Sequence, residues 1–306
     1  MSSKVSIIIP TFNRAHLIHE TLDSVLDQLY LNWECIVVDD GSLDNSISII
    51  NFYLKKDNRF KLLIRPNHRI KGASTCRNIG VENSTGKFIQ FLDSDDLLSR
   101  NKISEQIKLL ENCSENVIST CKWGRFDINL KDSNILENLA TYDSFDNPLL
   151  FLDALSVSKG YFPPNAYLIK ADLVKKVGLW NEYLTINDDG EFMMRVIANT
   201  EKIYFASEAI AYYRHTTTTN LSNYTNKENV NDVIYSWKLV DSYLKIRFKK
   251  DVISYVEIMK SVLYSNVKNS FPELIFKHEY FFKKQLEDYE LWRRIKAKIK
   301  QRLTKL

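Results

Sequence analysis

Val5-Ser-Ile-Ile-Ile-Pro-Thr-Phe-Asn-Arg14 is an apolar, β-branched run stopped by a proline and followed at once by polar residues. Leu17, Ile18, Leu22, Val25, Leu26 and Leu29 then recur at helical spacing, so the stretch reads as strand, turn and helix. The alternation returns downstream. Trp33-Glu-Cys-Ile-Val-Val38 ends at Asp39-Asp40-Gly41-Ser42, and Ile47, Ile49, Ile50 and Tyr53 precede a third apolar run, Phe60 to Ile64. A helix from Gly72 to Val81 leads to Phe88-Ile-Gln-Phe-Leu92, which stops at Asp93-Ser94-Asp95-Asp96. Strands apolar on both faces and separated by helices predict an α/β fold: a parallel sheet covered on each side and joined by right-handed crossovers. Such sheets bind ligands at the carboxyl ends of their strands. The polar clusters at 10–14, 39–42 and 93–96 should therefore line one edge.

Beyond residue 120 the spacing predicts helices over 144–155, 171–177 and 189–199, with short strands at Tyr204-Phe205 and Ile210 to Tyr213. From about 226 the pattern is helical, with Val233, Ile234, Trp237, Val240 and Tyr243 on one face. A chain of 306 residues, 44% hydrophobic and 12% aromatic, with only 8 Gly and 6 Pro, is globular and suits one α/β catalytic unit with a tail. Cys35, Cys76, Cys113 and Cys121 show no CxxC spacing, so neither a zinc site nor a disulfide framework is expected. Met1-Ser-Ser-Lys4 runs directly into the first strand, and no apolar run approaches the roughly 20 residues of a membrane span. A cytoplasmic location is expected.

Two carboxylates separated by one residue at the end of a buried strand can present oxygens to a hard divalent cation, with phosphates completing the shell. Asp93 and Asp95 meet that description. The plainer alternative is a turn and helix N-cap ahead of Lys102 to Leu110. Asp39-Asp40-Gly41-Ser42 can likewise be a strand-end turn, with Gly41 at positive φ and Ser42 capping the next helix. That alternative explains less well why an acid ends an apolar strand, where a carboxylate can accept from a base imide or a ribose hydroxyl. Three such clusters at alternate strand ends favour the ligand-binding reading.

Ser6-Ile-Ile-Ile-Pro-Thr-Phe-Asn-Arg14, Val38-Asp-Asp-Gly-Ser42, Arg77-Asn-Ile-Gly80 and Phe91-Leu-Asp-Ser-Asp-Asp96 resemble the successive motifs of family 2 glycosyltransferases. The resemblance implies a GT-A fold: a Rossmann-like, mostly parallel sheet with helices on both faces. Residues 1–120 would be the nucleotide-sugar-binding half, 121–225 the acceptor-binding half, and 226–306 a C-terminal helical extension. Donor binding is implied for Pro10, Thr11, Asn13, Arg14, Asp40, Arg77, Asp93 and Ser94, with Thr11 and Asp40 at the nucleobase and Arg77 near the diphosphate. Asp95 with Asp93 is implied for Mn2+ or Mg2+. Val177-Gly-Leu-Trp-Asn-Glu182, Asn187-Asp-Asp-Gly-Glu-Phe192 and Arg195 resemble the family's second half. There Asp189 is similar to the general base, which the chemistry needs because the acceptor hydroxyl loses a proton as it attacks. The alternative is that Asp188 or Asp189 caps the helix at 189–199. Tyr212-Tyr-Arg-His215 with Thr216 to Ser222 resembles a flexible loop in which Arg214 reaches the diphosphate; the spacing leaves His215 without an assigned role.

The expected activity is a metal-dependent, inverting hexosyltransferase that moves a sugar from a nucleoside-diphosphate sugar, expected to be a UDP-sugar, to a hydroxyl of a glycan or lipid-linked acceptor. Bacterial surface polysaccharide synthesis is the expected setting. Residues 291–306 carry seven basic residues and no acid, and without them 35 basic residues face 38 acidic ones. Trp292, Ile295, Ile299 and Leu303 at helical spacing opposite that charge suit a peripheral helix on an anionic membrane, or a terminal helix packed on the body. No nucleic-acid-binding module is recognisable. A nucleotidyltransferase would want a glycine-rich phosphate loop where Phe12-Asn-Arg14 stands. A non-catalytic sugar-nucleotide or membrane-binding module would keep Asp40 and Asp95 without needing Asp189.

Overall fold

Alternation along the first strand sets up the layers: Ile7 and Ile9 point to one core, and Ile8 lies against the opposite face. The computed structural model describes residues 3–158, 162–215 and 226–290. In chain order its first elements are β1 (Val5–Thr11), α1 (Ile18–Leu26), β2 (Trp33–Asp39), α2 (Ser46–Lys56), β3 (Phe60–Ile64), α3 (Ala73–Glu82) and β4 (Phe88–Phe91). There follow β5 (Leu97–Leu98), α4 (Lys102–Leu110), β6 (Val117–Phe126), β7 (Asn134–Ile135), α5 (Pro148–Ser158), β8 (Leu168–Lys170), α6 (Ala171–Val177), α7 (Asp188–Asn199) and β9 (Lys202–Arg214). The helices α8 (Lys227–Phe248), α9 (Ser254–Val267) and α10 (Pro272–Lys277) complete the set. The chain divides into two compact units, Met1–Leu221 and Ser222–Leu306.

In the first unit the strand order is β3-β2-β1-β4-β8-β6-β9-β5, with β7 paired to β6. The run β3-β2-β1-β4 is parallel throughout, as the alternation predicts. Beyond it the sheet is mixed: β8 is antiparallel to both β4 and β6, while β6 and β9 are parallel. Cys35 and Val37 of β2 join the core formed with Leu22 and Val25 of α1, Ile50 of α2 and Ile103 and Ile107 of α4. Ile36 and Val38 turn the other way, onto Cys76 and Ile79 of α3. Helices therefore cover both faces. A Cβ at Gly80 would fall 2.3 Å from Ile8 Cγ2, so α3 lies this close to β1 because position 80 has no side chain.

The two short strands expected at 204–205 and 210–213 are one strand of 13 residues, β9. Its register against β6 shifts between Cys121 and Lys122, opposite the step from Ala206 to Ile210. That irregularity, with Ser207 and Glu208 exposed, interrupts the apolar pattern without ending the strand. In the second unit α8, α9 and α10 bury Val233, Ile234, Trp237 and Val240 among Val256, Leu263 and Ile275. Among the described residues no helix is long and apolar enough to cross a membrane.

Candidate donor and acceptor site

Because β2, β1 and β4 are neighbours and parallel, the three polar clusters emerge side by side at their carboxyl ends. The loop after β1 is laced to the loop after β2. Asn13, at φ 51°, donates its N–H to Ser42 Oγ at 2.9 Å and accepts from Leu43 N at 2.8 Å, while Arg14 N donates to Ser46 Oγ at 2.8 Å. Ser42 thus serves the β1 loop rather than capping α2, whose N-cap is Asn45. Gly41 takes φ +87°, as a strand-end turn requires, and Asp39 Oδ2 accepts from Gly41 N and Ser42 N at 2.9 and 2.8 Å.

Thr11 Oγ1, beside Pro10 at the buried end of β1, and Asp39 Oδ1 are buried with no hydrogen-bond partner among the described residues. Unsatisfied polar atoms at a ligand-binding edge are what a bound polar ligand would satisfy. Asp40 is buried and ion-paired with Arg65, whose N–H also donates to Asp39 O at 2.9 Å. Sequence reading passed over Arg65; its signal was its position directly after the third strand. Lys71 Nζ sits 3.8 Å from the centre of the Phe12 ring on the same rim.

The chain turns sharply after β4, Asp96 N donating to Asp93 O at 3.1 Å, and continues into β5, so these acids do not cap α4. Asn101 occupies that position. Asp93 Oδ1 accepts from Arg77 Nη2 at 2.7 Å, and Arg14 Nε lies 3.5 Å from Asp95 Oδ2. Ser94 between them is buried. Asp96 is pinned beneath, accepting from Arg214 N at 2.9 Å and Asn165 Nδ2 at 2.8 Å. Burial, and then the neighbouring Asp93 carboxylate, push the Asp95 carboxyl above its ordinary value, against the pull of Arg14 and Arg214. Burial, then Asp95 and Asp93, push Asp96 higher still.

Arg214 is not in a loop. It is the last residue of β9, buried, with Nε on Asp95 O at 2.8 Å, Nη1 on Asp127 O at 2.7 Å and Nη2 on Glu20 Oε2 at 2.8 Å. In this arrangement its guanidinium braces the backbone of Asp95. His215 donates its backbone N–H to Phe126 O at 2.8 Å. Residues 216–222 of the expected loop, like the basic tail at 291–306, lie outside the described residues.

The motif at 177–195 meets the strand-end motifs at α3. Asn78 donates to Trp180 O at 2.9 Å and accepts from Trp180 N at 2.8 Å, and Trp180 stacks on Phe192 of α7 with ring centres 4.3 Å apart. This locks α7 against α3 and β4. Arg77 Nη1 then donates to Asp188 Oδ2 at 3.0 Å, and Ser74 Oγ to the same oxygen at 2.6 Å. Burial alone would lower the Arg77 pKa, but the charges of Asp93 and Asp188 outweigh it and hold the guanidinium protonated. Asp189 follows on the first turn of α7, its Oδ1 accepting from Gly190 N at 2.8 Å. Burial, then Asp96, Asp93, Asp189 and Asp95, push the Tyr213 phenol above its ordinary range. Acids drawn from two distant motifs therefore share one neighbourhood, around a tyrosine to which sequence reading gave no role.

Asp93 and Asp95 offer hard oxygen donors one residue apart, and their crowded charge lacks a full counter-charge, so the pair fits a divalent cation whose other ligands come from a diphosphate. The sequence model of glycosyl transferase family 2 matches residues 6–163. The chain belongs to this family. Glycosyltransferase GlyG of Streptococcus pneumoniae is 24% identical over 298 residues, covering 92% of this chain and 97% of that protein. The UDP-Glc:alpha-D-GlcNAc-diphosphoundecaprenol beta-1,3-glucosyltransferase WfgD of Escherichia coli is 44% identical over 107 residues, 35% of this chain and 40% of the relative. Uncharacterized glycosyltransferases of Rickettsia and Haemophilus influenzae match at 39 to 43% identity, and there the chain spans only 17 to 42% of the relatives' length. The crystal structure of S. aureus TarS 1-349 in complex with UDP-GlcNAc superposes with a TM-score of 0.69 at 20% identity, over 87% of this chain and 74% of that one. The α/β architecture is thus the GT-A fold expected from the motifs.

Proposed function

We infer that this family member transfers a sugar from a nucleoside-diphosphate sugar, with inversion, to a hydroxyl of a glycan or lipid-linked acceptor. The observation that carries the reading is Arg77, which holds an acid of the β4 turn and an acid of the α7 start on one guanidinium. A donor-side pair and an acceptor-side pair of carboxylates are thereby fixed across one positive charge.

In this reading Pro10, Thr11, Asn13 and Asp40 surround the nucleobase and ribose, with Arg65 as the partner that Asp40 exchanges for the base. Asp93 and Asp95, with Ser94 between them, would hold Mn2+ or Mg2+, which supplies positive charge to the departing diphosphate. Arg14 and Arg77 add theirs from the protein. Asp188 is held by Ser74 and Arg77, and Asp189, matching the second acid of the family's pair, is the member read as taking the acceptor proton. A single displacement inverts the anomeric centre without a covalent intermediate.

A UDP-sugar is the donor favoured by TarS, whose structure is in complex with UDP-GlcNAc, and by WfgD, named as using UDP-Glc. WfgD's diphosphoundecaprenol acceptor supports a lipid-linked substrate and a place in surface polysaccharide synthesis. A cytoplasmic, membrane-peripheral enzyme, held through the seven basic residues of 291–306, accords with such an acceptor. The test is a panel of nucleoside-diphosphate sugars with Mn2+ or Mg2+ and a diphosphate-linked glycolipid acceptor, read as nucleotide release and as the anomeric configuration of the product. Product with the donor's own anomeric configuration, or no turnover of any donor, sinks the reading.

A further inference from the structure

The second unit contains a cavity of about 310 Å³ whose wall brings together Lys238 of α8 and Lys277 and His278 at the end of α10. Lys238 Nζ donates to His278 Nδ1 at 3.0 Å, so the imidazole carries its proton on Nε2, which donates to Asn231 Oδ1 at 3.1 Å. Lys277 Nζ reaches the same Asn231 oxygen at 3.5 Å. Among the described residues neither lysine has a carboxylate within ion-pair distance. The one acid in the wall, Asp241, is committed elsewhere: its Oδ2 accepts from Lys260 at 2.8 Å and from Lys245 at 3.1 Å. Two lysines with free N–H capacity and an imidazole thus line one cavity, whose single carboxylate, Asp241, holds Lys245 and Lys260 through Oδ2.

Burial, and then the charges of Lys238 and Lys277, hold the His278 imidazole below its ordinary value, and burial followed by Lys277 lowers Lys238. Burial is the larger cause in both, and the lysine charges add to it in the same direction. Lysine ammonium groups are point-charge donors suited to phosphate oxygens, and a cavity of this size admits a small molecule. Tyr280, also in the wall, is 91% exposed and sets an aromatic ring at the rim, where an apolar group attached to the anion would lie.

We propose that this cavity binds a phosphate group, presented by a phospholipid headgroup or by free diphosphate, through Lys238, Lys277 and the His278 ring. The site belongs to the second unit alone and does not depend on the transferase reading.

The test follows the His278 ring resonance in the full chain, assigned by its loss in His278→Gln, during titration with inorganic pyrophosphate and, separately, with short-chain phosphatidylglycerol below its micellar concentration. Chelator is present throughout. Binding shifts the resonance saturably, and Lys238→Gln with Lys277→Gln weakens the apparent Kd at least tenfold. Lys277→Gln alone, at an exposed position that cannot threaten the fold, weakens it several-fold. A response to phosphatidylglycerol identifies a headgroup as the source, and a response to pyrophosphate alone identifies a free phosphate. No shift with either probe at millimolar concentration overturns the proposal, as does a shift that persists unchanged in the double variant.

Discussion

Arg77 donates to Asp93 at 2.7 Å through one terminal nitrogen and to Asp188 at 3.0 Å through the other, so one buried side chain spans residues that lie 95 positions apart in sequence. Its guanidinium also lies 4.4 Å from the Trp180 ring centre, and α3 can present it there because Gly80 lets the helix press onto β1. The bridge orders the β4 turn relative to α7 before any substrate arrives, which is the preorganisation that transfer chemistry needs.

Arg77→Lys keeps the charge and loses the fork. A single ammonium cannot reach both acids with the spacing of two guanidinium nitrogens, so one carboxylate is left without its partner. The fold should lose about 2 kcal/mol, within the range for a charge-assisted bond given up in a buried site. Nucleoside-diphosphate affinity should fall roughly tenfold or more, as about 1.4 kcal/mol per decade implies. Chemical denaturation and calorimetric titration of the same preparation measure the two effects, and wild-type values in both would show that the bridge is dispensable.

Asp95→Asn should separate stability from binding. Because burial and Asp93 raise the Asp95 carboxyl in the folded chain, its ionised form costs stability at neutral pH, and that cost disappears as pH falls below the carboxylate's unfolded value. Removing the charge should therefore raise the melting temperature of the metal-free protein at pH 7 and change it little at pH 4. The same variant should lose the increase in nucleoside-diphosphate affinity that Mn2+ confers. Metal-stimulated binding at wild-type strength in Asp95→Asn would remove Asp95 from the metal site.

Glu34 gives a second pH window, of opposite sign. This carboxylate lies within β2, 3% exposed, accepting from Ser6 Oγ at 2.7 Å, Thr85 N at 2.7 Å and Thr85 Oγ1 at 2.8 Å, with Lys61 Nζ at 2.7 Å. Burial alone would raise its pKa, but Lys61, Ser6 and Thr85 together bring it down to about 2. A depressed folded pKa contributes stability that is complete above the unfolded value of 4.5 and is lost as pH falls toward 2. Glu34→Gln should cost up to about 3 kcal/mol at pH 7, at about 1.4 kcal/mol per pKa unit, with more than half of that difference gone by pH 3. A urea series across that range decides it; a pH-independent difference would assign the loss to packing.

How much of this was legible beforehand depended on range. The parallel half of the sheet and its polar edge follow from local pattern: the two-residue alternation at Ile7, Ile8 and Ile9, and acids that stop apolar strands at Asp39 and Asp93. Glu34 sits inside an apolar strand and its role was not legible there, because its partners Ser6 and Thr85 lie 28 and 51 residues away. β9 was divided in two because a register shift beside Ser207 and Glu208 resembles a strand end when the partner strand is unknown. Arg214 was assigned to a flexible loop by the family resemblance of the stretch Tyr212 to Ser222, and its contacts with Glu20 and Asp127 are ones that nothing near it in sequence announces.

Asp189→Asn is the sharpest test of the acceptor side. Asp188 and Asp189 both open α7, Asp188 accepting from Ser74 and Arg77 and Asp189 from Gly190 N, and the proposed mechanism gives them different work. An asparagine at 189 keeps its size and can still accept from Gly190 N, so the helix start, the Arg77 bridge and donor affinity should all survive. On the proposed mechanism, what is lost is the group that takes the acceptor's proton. Loss of a general base typically costs about 10²- to 10⁴-fold in rate, and because the donor contacts are untouched the loss should fall on kcat. Asp188→Asn should behave differently, weakening donor binding through Arg77 while retaining more of the chemical step. Steady-state kinetics of both variants, with donor affinity measured separately, discriminate the roles: an active Asp189→Asn beside a dead Asp188→Asn reverses the assignment, and two active variants place the base outside this pair.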